Sequence, residues 1–246
     1  MSSDRWIRRY HPTESAPVRL VCFPHAGGSA SYWHPLSTVL RPEVDVLAVQ
    51  YPGRQDRFTE TPLTDIGELA AQVVTALGRP DGRPLALLGH SMGAVIAYET
   101  ARRLERTGAG PAHLFVSGRR APDRGRPETI HRLGEEELVA HTAALGGTDP
   151  SLLADPEIRA LALPALRADY AALAGYRPDP PRPLGCPVTA LVGDADPVTS
   201  EEDARAWERY SGGAFELDVF PGGHFYLNGR HEEIAAVVSH HLKALA

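Results

Sequence analysis

Ser91 stands between Gly89 and Gly93, where an apolar run, Leu85–Leu88, ends and a helix-forming run opens at Met92. That is the strand–elbow–helix context in which a serine hydroxyl is presented as a nucleophile. The elbow is a tight, strained turn, so a side chain at 89 or 93 is expected to collide with the neighbouring strand or helix. A serine hydroxyl attacks poorly at neutral pH, so the chemistry also needs a base and a carboxylate to orient that base. In chains built round such an elbow the order is serine, acid, histidine.

That order prunes the eleven histidines. His11, His25, His34 and His90 precede or adjoin the serine and drop out. His224 lies in Phe220-Pro-Gly-Gly-His-Phe225, where two glycines free a loop to aim an imidazole, and it is the expected base. His231, His240 and His241 fall on a terminal helical pattern and read as a solvated face. For the acid, Asp194 and Asp196 compete in Val192-Gly-Asp-Ala-Asp-Pro-Val198. Asp196, deeper in the loop, is favoured for its reach, and Asp194 is expected to shape the turn through its own backbone. Asp123, after an earlier strand, ranks third. Acyl transfer further requires donors aimed at the developing oxyanion. The Met92 amide, at a helix N-terminus, supplies one. The Ala26 amide in Phe23-Pro-His-Ala-Gly-Gly-Ser29 is the expected second, since glycines there let backbone approach a bound oxygen closely.

These groups need a scaffold. Short apolar runs alternate with helical patterns, the signature of parallel βαβ units. Strands are expected at Arg19–Phe23, Val44–Gln50, Leu85–Gly89, Ala112–Ser117, Val188–Val192 and Phe215–Phe220, with an edge strand within Trp6–Tyr10. Helices are expected at Tyr32–Leu40, Ile66–Leu77, Met92–Thr107, Ser200–Tyr210 and Glu232–Leu245. The fold class is therefore α/β, a mostly parallel central sheet flanked by helices. From Arg119 to Arg182 the strands stop, with helical patterns at Glu135–Leu145 and Pro156–Leu173 and a Pro-rich exit. An ordinary crossover needs about a dozen residues, so 119–182 reads as a helical lid inserted into a core formed by 1–118 and 183–246.

With 246 residues, 43% hydrophobic and 23% charged, the chain fits one globular domain. A net charge of −6 leaves no global positive field and argues against nucleic-acid binding. Cys22 and Cys186 read as buried free thiols. The N-terminus lacks an apolar leader core and no run reaches the ~18 apolar residues of a membrane span, so a cytoplasmic location is expected. Phosphate-cradling glycine motifs are missing and His240-His241 lacks metal-ligand spacing, so neither metal nor cofactor is expected.

Five stretches together resemble the type II thioesterases that accompany nonribosomal peptide and polyketide synthases, members of the α/β-hydrolase superfamily. They are Phe23-Pro-His-Ala-Gly-Gly-Ser-Ala, Tyr51-Pro-Gly-Arg-Gln-Asp-Arg, Gly89-His-Ser-Met-Gly-Ala, Gly193-Asp-Ala-Asp-Pro-Val and Gly222-Gly-His-Phe-Tyr-Leu. The first two are far more specific than the serine elbow. The resemblance implies hydrolysis of aberrant or stalled acyl and aminoacyl thioesters from the phosphopantetheine arm of carrier proteins. It implies Ser91, Asp196 and His224 as triad, Ala26 and Met92 as oxyanion donors, and a transient acyl or peptidyl carrier-protein partner for a monomer. Carrier proteins are usually acidic, so docking needs a local basic patch. Arg119, Arg120, Arg124, Arg126 and Arg132 cluster near the start of the insertion. Arg119, Arg120 and Arg124 are the expected contacts to the carrier protein or the arm's phosphate, against the alternative of a solvated loop. Arg54 and Arg57 read either as similar contacts or as buried, turn-stabilising donors. Rival functions are a stand-alone esterase or lipase, an acyltransferase, and a catalytically silent binding module on the same fold.

Overall fold

The computed structural model describes residues 5–126, 128–147 and 155–245. The first residues of the N-terminal stretch, and 127 and 148–154 of the expected insertion, lie outside the described residues. Seven strands form one sheet: β1 (Ile7–Arg8), β2 (Val18–Phe23), β3 (Val44–Val49), β4 (Leu85–His90), β5 (His113–Ser117), β6 (Val188–Gly193) and β7 (Phe215–Phe220). Their spatial order is β1-β3-β2-β4-β5-β6-β7, antiparallel only where β1 pairs with β3. The edge strand expected within Trp6–Tyr10 is thus real but two residues long.

The pleat sorts each strand's side chains onto two faces. Val21, Phe23, Leu47, Val49 and Leu87 pack with helices α2 (Ile66–Leu77) and α3 (Met92–Glu105). Leu20, Cys22, Val46, Ala48, Ala86 and Leu88 pack on the opposite side with α1 (His34–Leu40) and the C-terminal helix α7 (His231–Leu242). Both faces are covered, which is why the central strands read as continuous apolar runs. Cys22 and Cys186 are buried free thiols, as expected.

Two of the expected helices are divided, each for a local reason. The Tyr32–Leu40 pattern divides into a 3-10 turn, Ala30–Trp33, and α1, whose first turn contains Pro35. Proline has no N–H to bond backward, so it favours a fresh helix start there. The Ser200–Tyr210 pattern divides into α6 (Glu201–Arg205) and a 3-10 segment, Ala206–Tyr210. The tighter winding brings residues i and i+3 into line, and it sends both Trp207 and Tyr210 into the core.

β2 and β4 are neighbours whose onward connections run in opposite directions, β2 to β3 and β4 to β5. Ligands of open α/β sheets gather at such a switch point, beyond the carboxyl ends of the strands. Phe23 pairs in register with Gly89, so the Pro24–Ser29 loop and the Ser91 elbow leave the sheet side by side. Between β5 and β6 the chain carries two longer helices, α4 (Glu135–Leu145) and α5 (Pro156–Gly175).

Candidate active site

Ser91 sits at φ 54° and ψ −116°, one of two non-glycine residues of positive φ among those described. Few residues tolerate that geometry, and its strain is held by the surroundings. The Ser91 N–H donates to the Ser117 carbonyl at 2.8 Å, pinning the elbow to β5. A Cβ on Gly89 would fall 2.1 Å from the Gly93 carbonyl oxygen, and one on Gly93 would fall 2.1 Å from that of Phe23. The collisions expected at both glycines are therefore present, one with the helix and one with the neighbouring strand.

The structure brings Ser91, His224 and Asp196 into one hydrogen-bonded line from three separate strand ends. His224 Nδ1 lies 2.8 Å from Asp196 Oδ2, and His224 Nε2 lies 3.0 Å from Ser91 Oγ. The Asp196 carboxylate is fully buried, and its Oδ1 accepts the N–H groups of Val198 and Thr199 at 2.9 and 3.2 Å. A carboxylate so engaged accepts hydrogen bonds and does not donate, so His224 Nδ1 carries the proton. Nε2 is then the ring's free lone pair, facing the serine hydroxyl.

Asp194 has a different duty from the one expected. Its Oδ1 accepts the Gly222 N–H at 2.8 Å, so it ties the acid loop to the histidine loop instead of capping its own turn. Asp123 is engaged elsewhere, paired with Arg209. The Met92 N–H opens α3 and has no intrahelical acceptor, and the Ala26 N–H has no hydrogen-bond partner among the described residues. The two residues follow the carboxyl ends of the adjacent strands β2 and β4.

Two histidines set aside on sequence order prove to wall the site. His90 and His224 have ring centroids 5.1 Å apart, and His25 packs edge-on against Phe225 at 4.7 Å. His90 Nδ1 is 2.9 Å from Ser117 Oγ, which is 2.6 Å from the Tyr226 hydroxyl. Burial is the main reason both rings resist protonation: His90 is held well below the usual histidine range, and His25 is pushed down to about 3. A proton on the neighbouring His224 ring would add to the effect in both cases.

The segment between β5 and β6 touches the site at two points. A Cβ on Gly147, just after α4, would lie 2.1 Å from the Phe225 ring. On α5, the fully buried Asp169 accepts the Gly27 N–H at 2.7 Å and pairs with Arg54. Arg54 and Arg57 are both buried, so of the two readings they fit that of turn-stabilising donors.

The arginines expected to form a docking patch are not arranged as one. Arg119 and Arg120 both donate to Glu128 Oε1, at 2.7 and 2.6 Å, and Arg120 is buried. Arg126 pairs with Asp203, and Arg124, which is exposed, lies 3.3 Å from Glu202. Glu128 draws Arg119 and Arg120 inward, so of the three expected contacts Arg124 is the one with an exposed side chain, and α6, remote in sequence, sets Glu202 beside it. A cleft of about 800 Å3 opens beside them, lined by Val95, Arg120, Thr129, Ala171 and Tyr176 among others, and Ser91 is not in its wall.

No group of three or more metal-ligating side chains occurs among the described residues, and no described helix is long and apolar enough to cross a membrane.

Residues 18–244 match the family model of the thioesterase domain. The chain is 49% identical to the "Probable cadicidin biosynthesis thioesterase" of Streptomyces griseus, over 92% of its own length and 63% of that protein's. It therefore spans under two thirds of that relative. It is 48% identical to thioesterase PikA5 of Streptomyces venezuelae, over 98% of this chain and 87% of that one. Among solved structures, the type II thioesterase BorB from the borrelidin biosynthetic cluster superimposes with a TM-score of 0.91 at 48% identity, covering 98% of this chain and 99% of that one. The chain belongs to the thioesterase family and, within it, to the type II thioesterases of the α/β-hydrolase fold.

Proposed function

We propose that the protein hydrolyses acyl and aminoacyl thioesters from the phosphopantetheine arms of carrier proteins, clearing aberrant or stalled groups in polyketide or nonribosomal peptide biosynthesis. The observation that carries the reading is the unbroken line from Asp196 through His224 to Ser91. The relatives' biosynthetic settings support the substrate class.

In this reading His224 Nε2 takes the Ser91 proton as Oγ attacks the thioester carbonyl, and Asp196 stabilises the imidazolium. The tetrahedral oxyanion is met by the N–H groups of Met92 and Ala26, with the positive end of α3 behind Met92. The pantetheine sulfur leaves, taking the proton from His224. Water then loses a proton to His224 and attacks the acyl-serine, and collapse releases the acid and restores the hydroxyl. No cofactor enters, because the phosphopantetheine is part of the substrate. Residues 119–182 act as a lid over the acyl group, and Arg124 is the member of the arginine cluster that meets an acidic carrier protein. The enzyme works as a cytoplasmic monomer.

The test is a panel of acyl- and aminoacyl-loaded carrier proteins, read by mass spectrometry of the unloaded arm beside hydrolysis of a simple diffusible ester. Unloading of the arm at rates well above ester hydrolysis is the expected result. Ester hydrolysis with intact loaded arms would move the protein to the esterases.

A further inference from the structure

Asp169 takes no part in the steps above, yet its carboxylate is fully buried and holds the loop that carries Ala26. Oδ2 accepts the Gly27 N–H and Arg54 Nη1, each at 2.7 Å, and Oδ1 accepts Arg54 Nη2 at 2.9 Å. Arg54 Nη1 also donates to the Gly28 carbonyl at 3.1 Å, and Nε donates to Pro52 O at 3.3 Å. The guanidinium lies 5.2 Å from the centre of the Tyr51 ring. Gln50 extends the brace, since its Nε2 donates to Arg54 O at 3.1 Å and its Oε1 accepts the Ala30 N–H at 2.7 Å.

The loop needs such external fixing. Gly27 is at φ +76° and is followed by a second glycine, so this backbone has no side chain of its own to select a conformation. The Gly27 N–H belongs to the peptide plane that leaves Ala26, so holding that plane constrains the Ala26 backbone. One turn back along α5, Leu166 closes on the same point, and a Cβ on Gly27 would meet its Cδ1 at 2.8 Å. Packing alone would not call for charges, because a buried ion pair is commonly replaced by apolar side chains at no loss of stability. What an apolar pair does not supply is directional bonds to one N–H and one carbonyl of the glycine loop.

We propose that Asp169 is a positioning residue: acting with Arg54, it makes the insertion's long helix α5 part of the oxyanion hole by aiming the Ala26 amide. The insertion is then more than a cover, since seating α5 and completing the oxyanion site are one event. The proposal rests on the thioesterase reading and adds to it.

Two variants test it: Asp169→Asn, and the double substitution Arg54→Met with Asp169→Leu, which removes both charges together. Each is measured for Tm, for kcat and KM on a small free acyl thioester, and for two inhibitors. One is a trifluoromethyl ketone whose serine adduct places an oxyanion in the hole; the other is the matching thioether, which forms none. The double variant is expected to fold, to lose at least about tenfold in kcat with KM within about threefold, and to lose ketone affinity in step with kcat while thioether affinity holds. Asp169→Asn, which keeps the side-chain shape, is expected to change the same quantities in the same direction and decides the matter if the double variant does not fold. Folded variants with kcat and ketone affinity within about twofold of wild type, or with KM raised at unchanged kcat, would overturn the proposal. Wild-type protein that turns over no thioester while the variants still lose ketone affinity would refute the substrate class and leave the positioning role standing.

Discussion

Gly193 and Gly222 meet backbone to backbone: a Cβ on Gly193 would lie 2.4 Å from the Gly222 carbonyl oxygen. The Ala195 N–H donates to that same oxygen at 2.9 Å, and Asp194 accepts the Gly222 N–H at 2.8 Å. The loops after β6 and β7 are thereby locked together, and the contact of Asp196 with His224 follows from that lock.

Gly193→Ala is expected to push the two loops apart and to lower both Tm and kcat, the latter at least about tenfold, because a misplaced base costs proton transfer steeply. Asp194→Ala removes one charge-assisted bond at an exposed loop and is expected to cost about 1–2 kcal/mol of stability with a smaller fall in kcat. Thermal melts and thioester turnover check both. A Gly193→Ala enzyme of wild-type kcat would show that the lock is dispensable.

Thiolates leave readily, so acylation of Ser91 is expected to outrun hydrolysis of the acyl-enzyme. Rapid mixing with a chromogenic thioester is expected to show a burst of thiol close to one equivalent of enzyme, followed by a slower steady rate. A trace linear from time zero would place the slow step before thiol release.

Acid is expected to weaken the fold through its buried histidines. Burial, reinforced by neighbouring charge, pushes His25 down to about 3 and His113 down to about 4 from an ordinary 6.5. As pH falls below 6.5 the unfolded chain binds protons that the folded one refuses, so stability is full above that value and is lost toward pH 4 and 3. Near pH 5 each such histidine withdraws about 2 kcal/mol. Denaturant melts at neutral and mildly acid pH measure this. His113→Phe, stacked on Phe115 as the imidazole is, is expected to flatten the slope. A wild-type stability unchanged between pH 7 and about pH 5 would contradict the assignment.

The arginines that follow β5 are expected to separate by their partners. Arg124→Glu is expected to slow unloading of carrier protein severalfold and to leave a small free thioester untouched, since that head is exposed. Arg120→Glu sets a carboxylate against Glu128 in a buried place and is expected to impair both substrates and lower Tm. Equal effects of Arg124→Glu on both substrates would rule out docking there.

Local chemistry made much of this readable in advance. Gly89 and Gly93 announce the elbow, the order serine–acid–histidine singles out the His224 loop, and alternating apolar runs place the strands to within a residue or two. The partners of the arginine cluster are less accessible, because the opposing charge depends on a turn that brings Glu128 back to Arg119 and Arg120 and on α6 contributing Glu202 to Arg124 and Asp203 to Arg126. Asp169 was silent for the same reason: it stands in an unremarkable helical pattern, 115 residues from the arginine it holds. The ordering rule that identifies a base passes over His25 and His90, because it says nothing about which rings surround that base. Short-range pattern names the groups that react, whereas the groups that aim them are chosen by packing between distant segments.

The most direct measurement is the rate at which free thiol appears on an acyl-loaded carrier protein with wild-type enzyme and with Ser91→Ala at matched fold, confirmed by circular dichroism. Catalytic unloading by the wild type is expected, with a fall of about four orders of magnitude or more in the variant, leaving what binding and the oxyanion donors alone provide. A Ser91→Ala protein within tenfold of the wild type would mean that the hydroxyl facing His224 is not the nucleophile.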